Sequence, residues 1–186
     1  RCGDDSFASA RRRGRKVFPV ERHHKLDTMA GAGLLKRIIE TENPAKMFID
    51  VGGLGAGVYD RLAEMGFEHI VVPVNFGGSP LEPPLVEGGG PKNRRAEMWM
   101  NVKDWLSSDA QADLPDDDDL QADLCGPGYK YDSESRVLLE RKEDMRARGV
   151  ASPDAGDAVA LTFAEPVTVA RSPAVSAPMG AGGWMG

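Results

Sequence analysis

The chain has 186 residues, enough to bury a real hydrophobic core, and a single domain is the default at that length. Its 41% hydrophobic and 28% charged content is that of an ordinary globular protein, and no apolar run approaches the ~18 residues of a membrane-spanning helix. A net charge of −6 disfavours a protein that coats nucleic acid by bulk positive charge.

No apolar segment follows the basic residues of 1–22 as a secretory signal requires. The chain begins at Arg1, without an initiator methionine, and reads as a piece of a longer protein. Cys2 and Cys125 lie far apart and fit no metal-ligand spacing, which reads as two free thiols in a reducing compartment.

Residues 6–22 alternate weakly around Arg11-Arg12-Arg13-Gly14-Arg15, the pattern of a β-hairpin. Asp27 is placed to cap a helix running to about Glu42, with Met29, Leu34, Leu35, Ile38 and Ile39 as its apolar face. Asn43-Pro44 ends it. The apolar run 46–51 predicts a buried strand, and a glycine-rich turn follows. A second helix is predicted over about Val58–Met65, stopped by Gly66, and 69–74 predicts a second buried strand. Glycine and proline break up residues 75–92 into a long loop, of the kind that carries function or moves.

A third helix is predicted over about Arg94–Leu106, with Met98, Trp99, Val102, Trp105 and Leu106 on its core side. Residues 107–119 read as a polar loop in which Asp116–Asp119 are solvated, and a short helix fits Leu120–Leu124. Tyr129–Tyr131 and Arg136–Leu139 read as a strand pair, and Arg141–Arg148 as a charged helical turn or two. Pro153 suits the first turn of a last helix reaching about Ala164. The order ββ-α-β-α-β-α-ββ-α defines an α/β domain with a mixed sheet.

Asp50 interrupts the first apolar strand just before the glycine turn, where a carboxylate is costly to bury unless something pairs with it. Asp154 and Asp157 lie three apart at the start of the last helix, so one turn presents both. The helix dipole alone would favour acids there. Carboxylates converging from separate elements also suit hard divalent cations, which take oxygen ligands and keep open positions for water and phosphate. Two such ions about 3.5–4 Å apart can clamp the attacking and leaving oxygens of a phosphodiester. Gly52-Gly53-Leu54-Gly55-Ala56-Gly57 invites a dinucleotide-binding reading, but Val58 stands where the third glycine belongs and no acidic residue ends the next strand. The turn more readily lets backbone approach a metal-bound phosphate closely. His23, His24 and His69 show no metal spacing.

Four blocks in order carry a resemblance. They are Phe48-Ile49-Asp50-Val51-Gly52-Gly53-Leu54-Gly55-Ala56-Gly57-Val58-Tyr59-Asp60-Arg61-Leu62, then Asn93-Arg94-Arg95-Ala96-Glu97-Met98-Trp99, then Leu139-Glu140-Arg141-Lys142-Glu143-Asp144-Met145, then Ser152-Pro153-Asp154-Ala155-Gly156-Asp157-Ala158-Val159-Ala160-Leu161-Thr162-Phe163-Ala164. Over about residues 1–166 the chain resembles the C-terminal nuclease domain of tailed-phage large terminase subunits. The resemblance implies an RNase H-like α/β fold, a mixed central sheet flanked by helices. It implies an endonuclease that cuts concatemeric viral double-stranded DNA using two Mg²⁺ or Mn²⁺ ions. Asp50 matches one acidic metal position and Asp157 the one in the final block, with Asp154 as a direct ligand or an assisting neighbour. Arg1-Cys2-Gly3-Asp4-Asp5 looks like the segment that follows the family's first aspartate, which places that aspartate upstream of Arg1 and leaves the activity of this stretch by itself in question. The family's N-terminal ATPase motor has no counterpart in these residues. A junction resolvase of the same fold class and a non-catalytic DNA-binding or assembly module are the alternatives.

Two basic strips are candidates for DNA phosphate contact by charge rather than base reading. One is Arg11, Arg12 and Arg13 at the hairpin turn; the other is Lys92, Arg94 and Arg95 at the start of the third helix. Lys142, between a strand and the final acidic helix, is a candidate neighbour of the acids. The domain is expected to span 1–165. Residues 166–186, rich in Pro, Ala, Gly and Ser, are expected to form a disordered tail, with Trp184 beside Met185 as an anchor for a partner. The resemblance suggests the capsid portal for that role, the small terminase subunit as a further partner, the cytoplasm of the bacterial host as the location, and no membrane.

Overall fold

The computed structural model describes residues 7–82 and 89–167. The Arg1–Asp5 match and the tail beyond Val167, Trp184 included, lie outside the described residues.

The basic N-terminal stretch folds as expected into one bent antiparallel hairpin. Strand β1 (Phe7–Ser9) pairs with β4 (Glu21–His23), and β2 (Arg12–Arg13) pairs with β3 (Lys16–Val17) around a two-residue Gly14-Arg15 turn. Asp113 docks alongside β3, its backbone bonded to Arg15 and Val17. Helix α1 (Thr28–Glu42) starts where Asp27 accepts from the Ala30 N–H at 2.7 Å and ends at Asn43 in the left-handed conformation. Its buried stripe is Gly31, Ala32, Leu35 and Ile39, whereas Met29 is turned out to solvent. The stripe follows the i, i+4, i+8 rows that face a neighbour, and Met29 falls off them.

Strand β5 (Met47–Asp50), helix α2 (Leu54–Glu64) and strand β6 (Val71–Val74) form a β-α-β unit with the two strands parallel and Asp50 opposite Val74. Helix α2 begins at Leu54, four residues earlier than the sequence suggested. Gly55 and Gly57 of the glycine-rich turn lie inside its first turn, where a side chain would collide. A Cβ on Gly55 would sit 1.8 Å from the Asp50 carbonyl oxygen. The glycine turn thus serves the packing of α2 on the end of β5.

Helix α3 (Arg94–Ser107) is capped by Asn93 on the Ala96 N–H. The acidic run corrects another expectation. Asp117 caps helix α4 (Asp118–Cys125) on the Leu120 N–H and pairs with Arg22 at 2.8 Å, so these acids start a helix rather than fill a loop. Hairpin β7 (Tyr129–Tyr131) and β8 (Val137–Leu139) forms as predicted, with segment 90–92 bonded along β8. Helix α5 (Lys142–Ala147) and helix α6 (Asp154–Leu161) complete the chain, and α6 tightens into shorter-range turns over 162–164.

Three apolar clusters hold these elements. One joins α1, α2, β5 and β6 around Leu62. A second joins β6, α3 and α6 around Met98 and Ala160. A third joins the hairpin, α4 and α6 around Val17, Leu120 and Val159. Helix α6 therefore belongs to two of them and touches α3, α4, β1 and β5. Its small residues allow this; a Cβ on Gly156 would lie 2.9 Å from the Trp99 ring. Both parallel and antiparallel pairs are present, but among the described residues the strands form four two-stranded ladders, with none joining the parallel pair to the hairpin.

Gly55→Ala is expected to cost about 3 kcal/mol, since backbone must move to admit the methyl group. Gly33→Ala, mid-helix with open space around it, is expected to gain about 0.5–1 kcal/mol. Urea unfolding of the two variants checks both signs.

A carboxylate and lysine cluster as the candidate site

Asp50 is the last residue of β5, and its register opposite Val74 fixes it at the end of the parallel pair. Its Oδ1 accepts the Gly52 N–H at 3.0 Å, which tightens the turn into α2. Burial raises the Asp50 pKa above the ordinary aspartate value, and the nearby charge of Asp157 pushes the same way; Lys142 and the Gly52 and Phe76 amides only partly offset them.

Asp157 lies in the first turn of α6 and is 5% exposed. Four donors surround it. Arg95 Nε donates to Oδ1 at 2.8 Å and Nη2 to Oδ2 at 3.3 Å, Trp99 Nε1 donates to Oδ1 at 2.9 Å, and Lys142 Nζ stands 3.4 Å from Oδ2. Arg95 and Trp99 are one turn apart on α3, so one helix face supplies three of the four. Lys142, the first residue of α5, also donates to Asp154 Oδ1 at 2.9 Å, and Ser152 Oγ donates to the same oxygen at 2.7 Å. Burial alone would lower the Lys142 pKa, but Asp157 and Asp154 outweigh it and hold it above the usual lysine value. The ammonium group is thus charged and lies among the acids.

Asp50 and Asp157 are therefore brought together with Lys142, as the sequence suggested, and Asp154 joins through that lysine. Among the described residues no group of three or more His, Cys, Asp or Glu side chains is arranged to hold a metal ion. Asp154 is engaged by Lys142 and Ser152. A further acid, Asp123 of α4, turns its Oδ2 onto the Ala155 and Gly156 amides at 2.8 and 3.2 Å and so caps α6 from outside. Burial raises its pKa too. Sequence reading missed Asp123, because a cap borrowed from another helix leaves no local spacing signal. It also took Trp99 for core alone. Trp99 is core, but a buried indole N–H needs an acceptor, and that requirement was the available clue.

Most cations of the two basic strips are engaged by partners within the protein. Arg94 is 7% exposed and binds Glu97 and the Ala164 carbonyl, while Glu97 also accepts the Leu81 and Glu82 amides at 3.1 and 3.0 Å. Arg95 is spent on Asp157 and the Glu140 carbonyl. Lys92 pairs with Asp132 at 3.2 Å. Arg11 pairs with Glu21 and Glu42, and Arg12 binds Thr162 and stacks over Phe163 at 4.0 Å. Arg13 is exposed, with no ion pair among the described residues. These arginines follow one rule: a planar, permanently charged fork is the cation best suited to buried pairing.

The class defined by this architecture is an α/β domain with an acidic pair and a lysine at the meeting point of a strand end and two helix starts. No family model matches the chain, and no curated protein matches it. Among solved structures, the chain is similar to the nuclease domain of the large terminase subunit gp2 of bacterial virus Sf6. The TM-score is 0.69 at 19% identity, over 88% of this chain and 84% of that one. A lysine-to-alanine mutant of that nuclease domain with manganese and β-thujaplicinol gives a TM-score of 0.70 at 18% identity, over 88% and 84% of the two chains. A lysine-to-alanine mutant of gp2c with calcium gives 0.69 at 18%, with the same coverage. The chain has the fold of the terminase nuclease domain. No helix among the described residues is long and apolar enough to cross a membrane.

The raised pKa of Asp50 makes a signed prediction. The folded state holds this proton more tightly than the unfolded chain does. Its charged form therefore costs stability above the folded pKa; the cost shrinks as pH falls through that value and is gone below the ordinary 3.8. Asp50→Asn keeps the oxygen that accepts the Gly52 amide. It is expected to raise the Tm of the metal-free protein at pH 7, with the gain fading toward pH 4. Thermal melts across that range check it.

Proposed function

We propose that the chain is the divalent-metal-dependent endonuclease domain of a viral DNA-packaging terminase, hydrolysing phosphodiesters of concatemeric double-stranded DNA. The observation that carries this reading is the meeting of Asp50 and Asp157 about one ammonium group. Two hard carboxylates on separate rigid elements, one of them raised in pKa by burial and by the other, form an electron-rich pocket that already attracts a cation. The similarity to a nuclease domain solved with manganese and with calcium supports it.

Two carboxylates suit an ion such as Mg²⁺ that keeps several waters and takes its remaining ligands from substrate phosphate. Asp50 and Asp157 would hold it through oxygen, with Asp154 adjacent across Lys142, and the resemblance of the sequence motifs extends this to two Mg²⁺ or Mn²⁺ ions. Bound there, such an ion supplies an activated water and neutralises charge on the phosphate. The chain's own residues do the rest. Asp50 and Asp157 present carboxylates from a strand end and a helix start. Arg95 and Trp99 orient Asp157. Lys142 keeps positive charge beside the acids, where a phosphate diester would arrive, and its ammonium must shift from Asp157 for a cation to bind. Arg13, at the tip of the hairpin, is the cation of the two basic strips without an ion pair among the described residues, and would meet a backbone phosphate.

On this reading the chain works beside an ATPase domain, in a motor that meets the portal and the small terminase subunit in the host cytoplasm. Residues 1–165 are the nuclease domain on this reading, and residues 166–186 follow it. Its fold class is RNase H-like, with the described strands in separate two-stranded ladders.

Plasmid nicking in Mn²⁺ by the protein extended upstream of Arg1 provides the test. Asp50→Ala and Asp157→Ala are expected to lower the rate at least about 100-fold, with removal of Mn²⁺ by chelation doing the same. Undiminished cleavage in both variants would sink the nuclease reading. Absence of cleavage and of Mn²⁺ binding in the unsubstituted protein would favour a non-catalytic module.

A further inference from the structure

We infer that Arg95 and Trp99 are positioning residues that leave Asp157 a single oxygen, Oδ2, with which to bind a cation. The inference rests on the metal-dependent reading above and goes beyond it, by assigning the residues that set how Asp157 ligates.

The geometry is that of lone-pair accounting. A carboxylate oxygen accepts two good hydrogen bonds, and four sites serve the whole group. Oδ1 takes Arg95 Nε at 2.8 Å and Trp99 Nε1 at 2.9 Å, so both of its sites are filled by groups fixed on α3. Oδ2 takes the second arm of the same guanidinium at the longer 3.3 Å, and Lys142 approaches its other side at 3.4 Å. The tight partners hold Oδ1 and the loose ones hold Oδ2.

Neither tight partner can leave easily. Trp99 is 9% exposed and its ring lies against Gly156, where a Cβ would be 2.9 Å from it. Arg95 is pinned at its third nitrogen, since Nη1 donates to the Glu140 carbonyl at 3.0 Å. That carbonyl lies two residues before Lys142, so the same guanidinium also fixes the segment that delivers the lysine. Lys142 has no such constraint: it is partly exposed, flexible and shared between Asp157 and Asp154. Of the groups on Oδ2, the ammonium is the one that can yield its place without disturbing the core. Asp157 is thus preset to ligate through one oxygen, with the carboxylate plane fixed by the fork and the indole. Groups that orient a metal-binding carboxylate in this way typically change affinity about 10- to 100-fold when altered.

The test is Mn²⁺ titration by calorimetry on the unsubstituted chain, Arg95→Lys and Trp99→Phe, with the metal-free Tm recorded for each. Arg95→Lys keeps the charge and loses the fork. Trp99→Phe keeps an aromatic ring and loses the donor. The expected result is Mn²⁺ binding about 10- to 100-fold weaker in both variants, measured well below their melting temperatures. If one variant does not fold, the other decides. Unchanged affinity in a folded variant overturns the positioning role while leaving the metal-dependent reading intact. Absence of Mn²⁺ binding in the unsubstituted chain overturns that reading and this inference with it. A second readout separates orientation from bulk stability. The Trp99 indole N–H resonance, assigned by its loss in Trp99→Phe, is expected to move on Mn²⁺-mimicking Mg²⁺ addition while Oδ1 keeps its bond. An indole N–H that becomes solvent-exchanging on metal addition shows that Oδ1 has been released, and contradicts single-oxygen ligation.

Discussion

Asp157 is a charged carboxylate almost wholly removed from water, and much of the structure is organised by the need to compensate it. An isolated ionised group in such a place would cost many kcal/mol. Here a bidentate arginine, an indole and a lysine surround it. Each partner ties a different piece of chain to α6. Arg95 and Trp99 bring the first turns of α3, Arg95 also holds the end of β8 through Glu140, and Lys142 brings the start of α5. Removing one partner would leave a buried charge uncompensated, the costly way to break such a network.

The same helix must also be approached from four sides, and its composition makes that possible. Ala155, Gly156, Ala158 and Ala160 keep α6 thin, so Trp99 can lie against Gly156 and Asp123 can reach the first amides. The strand end behaves likewise. Gly55 lets α2 start directly on the Asp50 carbonyl at the end of β5. Small residues at these two contacts place the acids; the acids then place the cations.

How much of this was legible in the sequence follows from whether each signal is local. Asp27 and Asn43 bound α1 as read, because capping is decided within four residues. The apolar runs 47–50 and 71–74 gave the parallel pair, and Arg11–Lys16 gave the hairpin. Asp50, Asp154 and Asp157 were read as candidates from position at element edges and from motif resemblance, with Lys142 as a neighbour. What failed was non-local. Gly52–Gly57 read as a loop because helix propensity carries no knowledge of a carbonyl 1.8 Å from where a methyl would go. Arg94 and Arg95 read as surface cations because a run of charge at a helix start has no sequence mark for the buried acids that meet it from α3 itself and from α6. Asp117 and Asp123 read as solvated or were passed over because their partners, Arg22 and the α6 amides, are remote in sequence.

The central claim is that Asp50 and Asp157 form one cation site from which the Lys142 ammonium withdraws. Crystals of the protein soaked in Mn²⁺ and measured at the manganese absorption edge address it directly. The account predicts an anomalous peak within ligand distance of Asp50 and of Asp157 Oδ2, with Arg95 and Trp99 still on Oδ1 and Lys142 moved away from Asp157. Mn²⁺ found elsewhere, or Lys142 still seated on Asp157 in fully soaked crystals with no peak between the two aspartates, would contradict it.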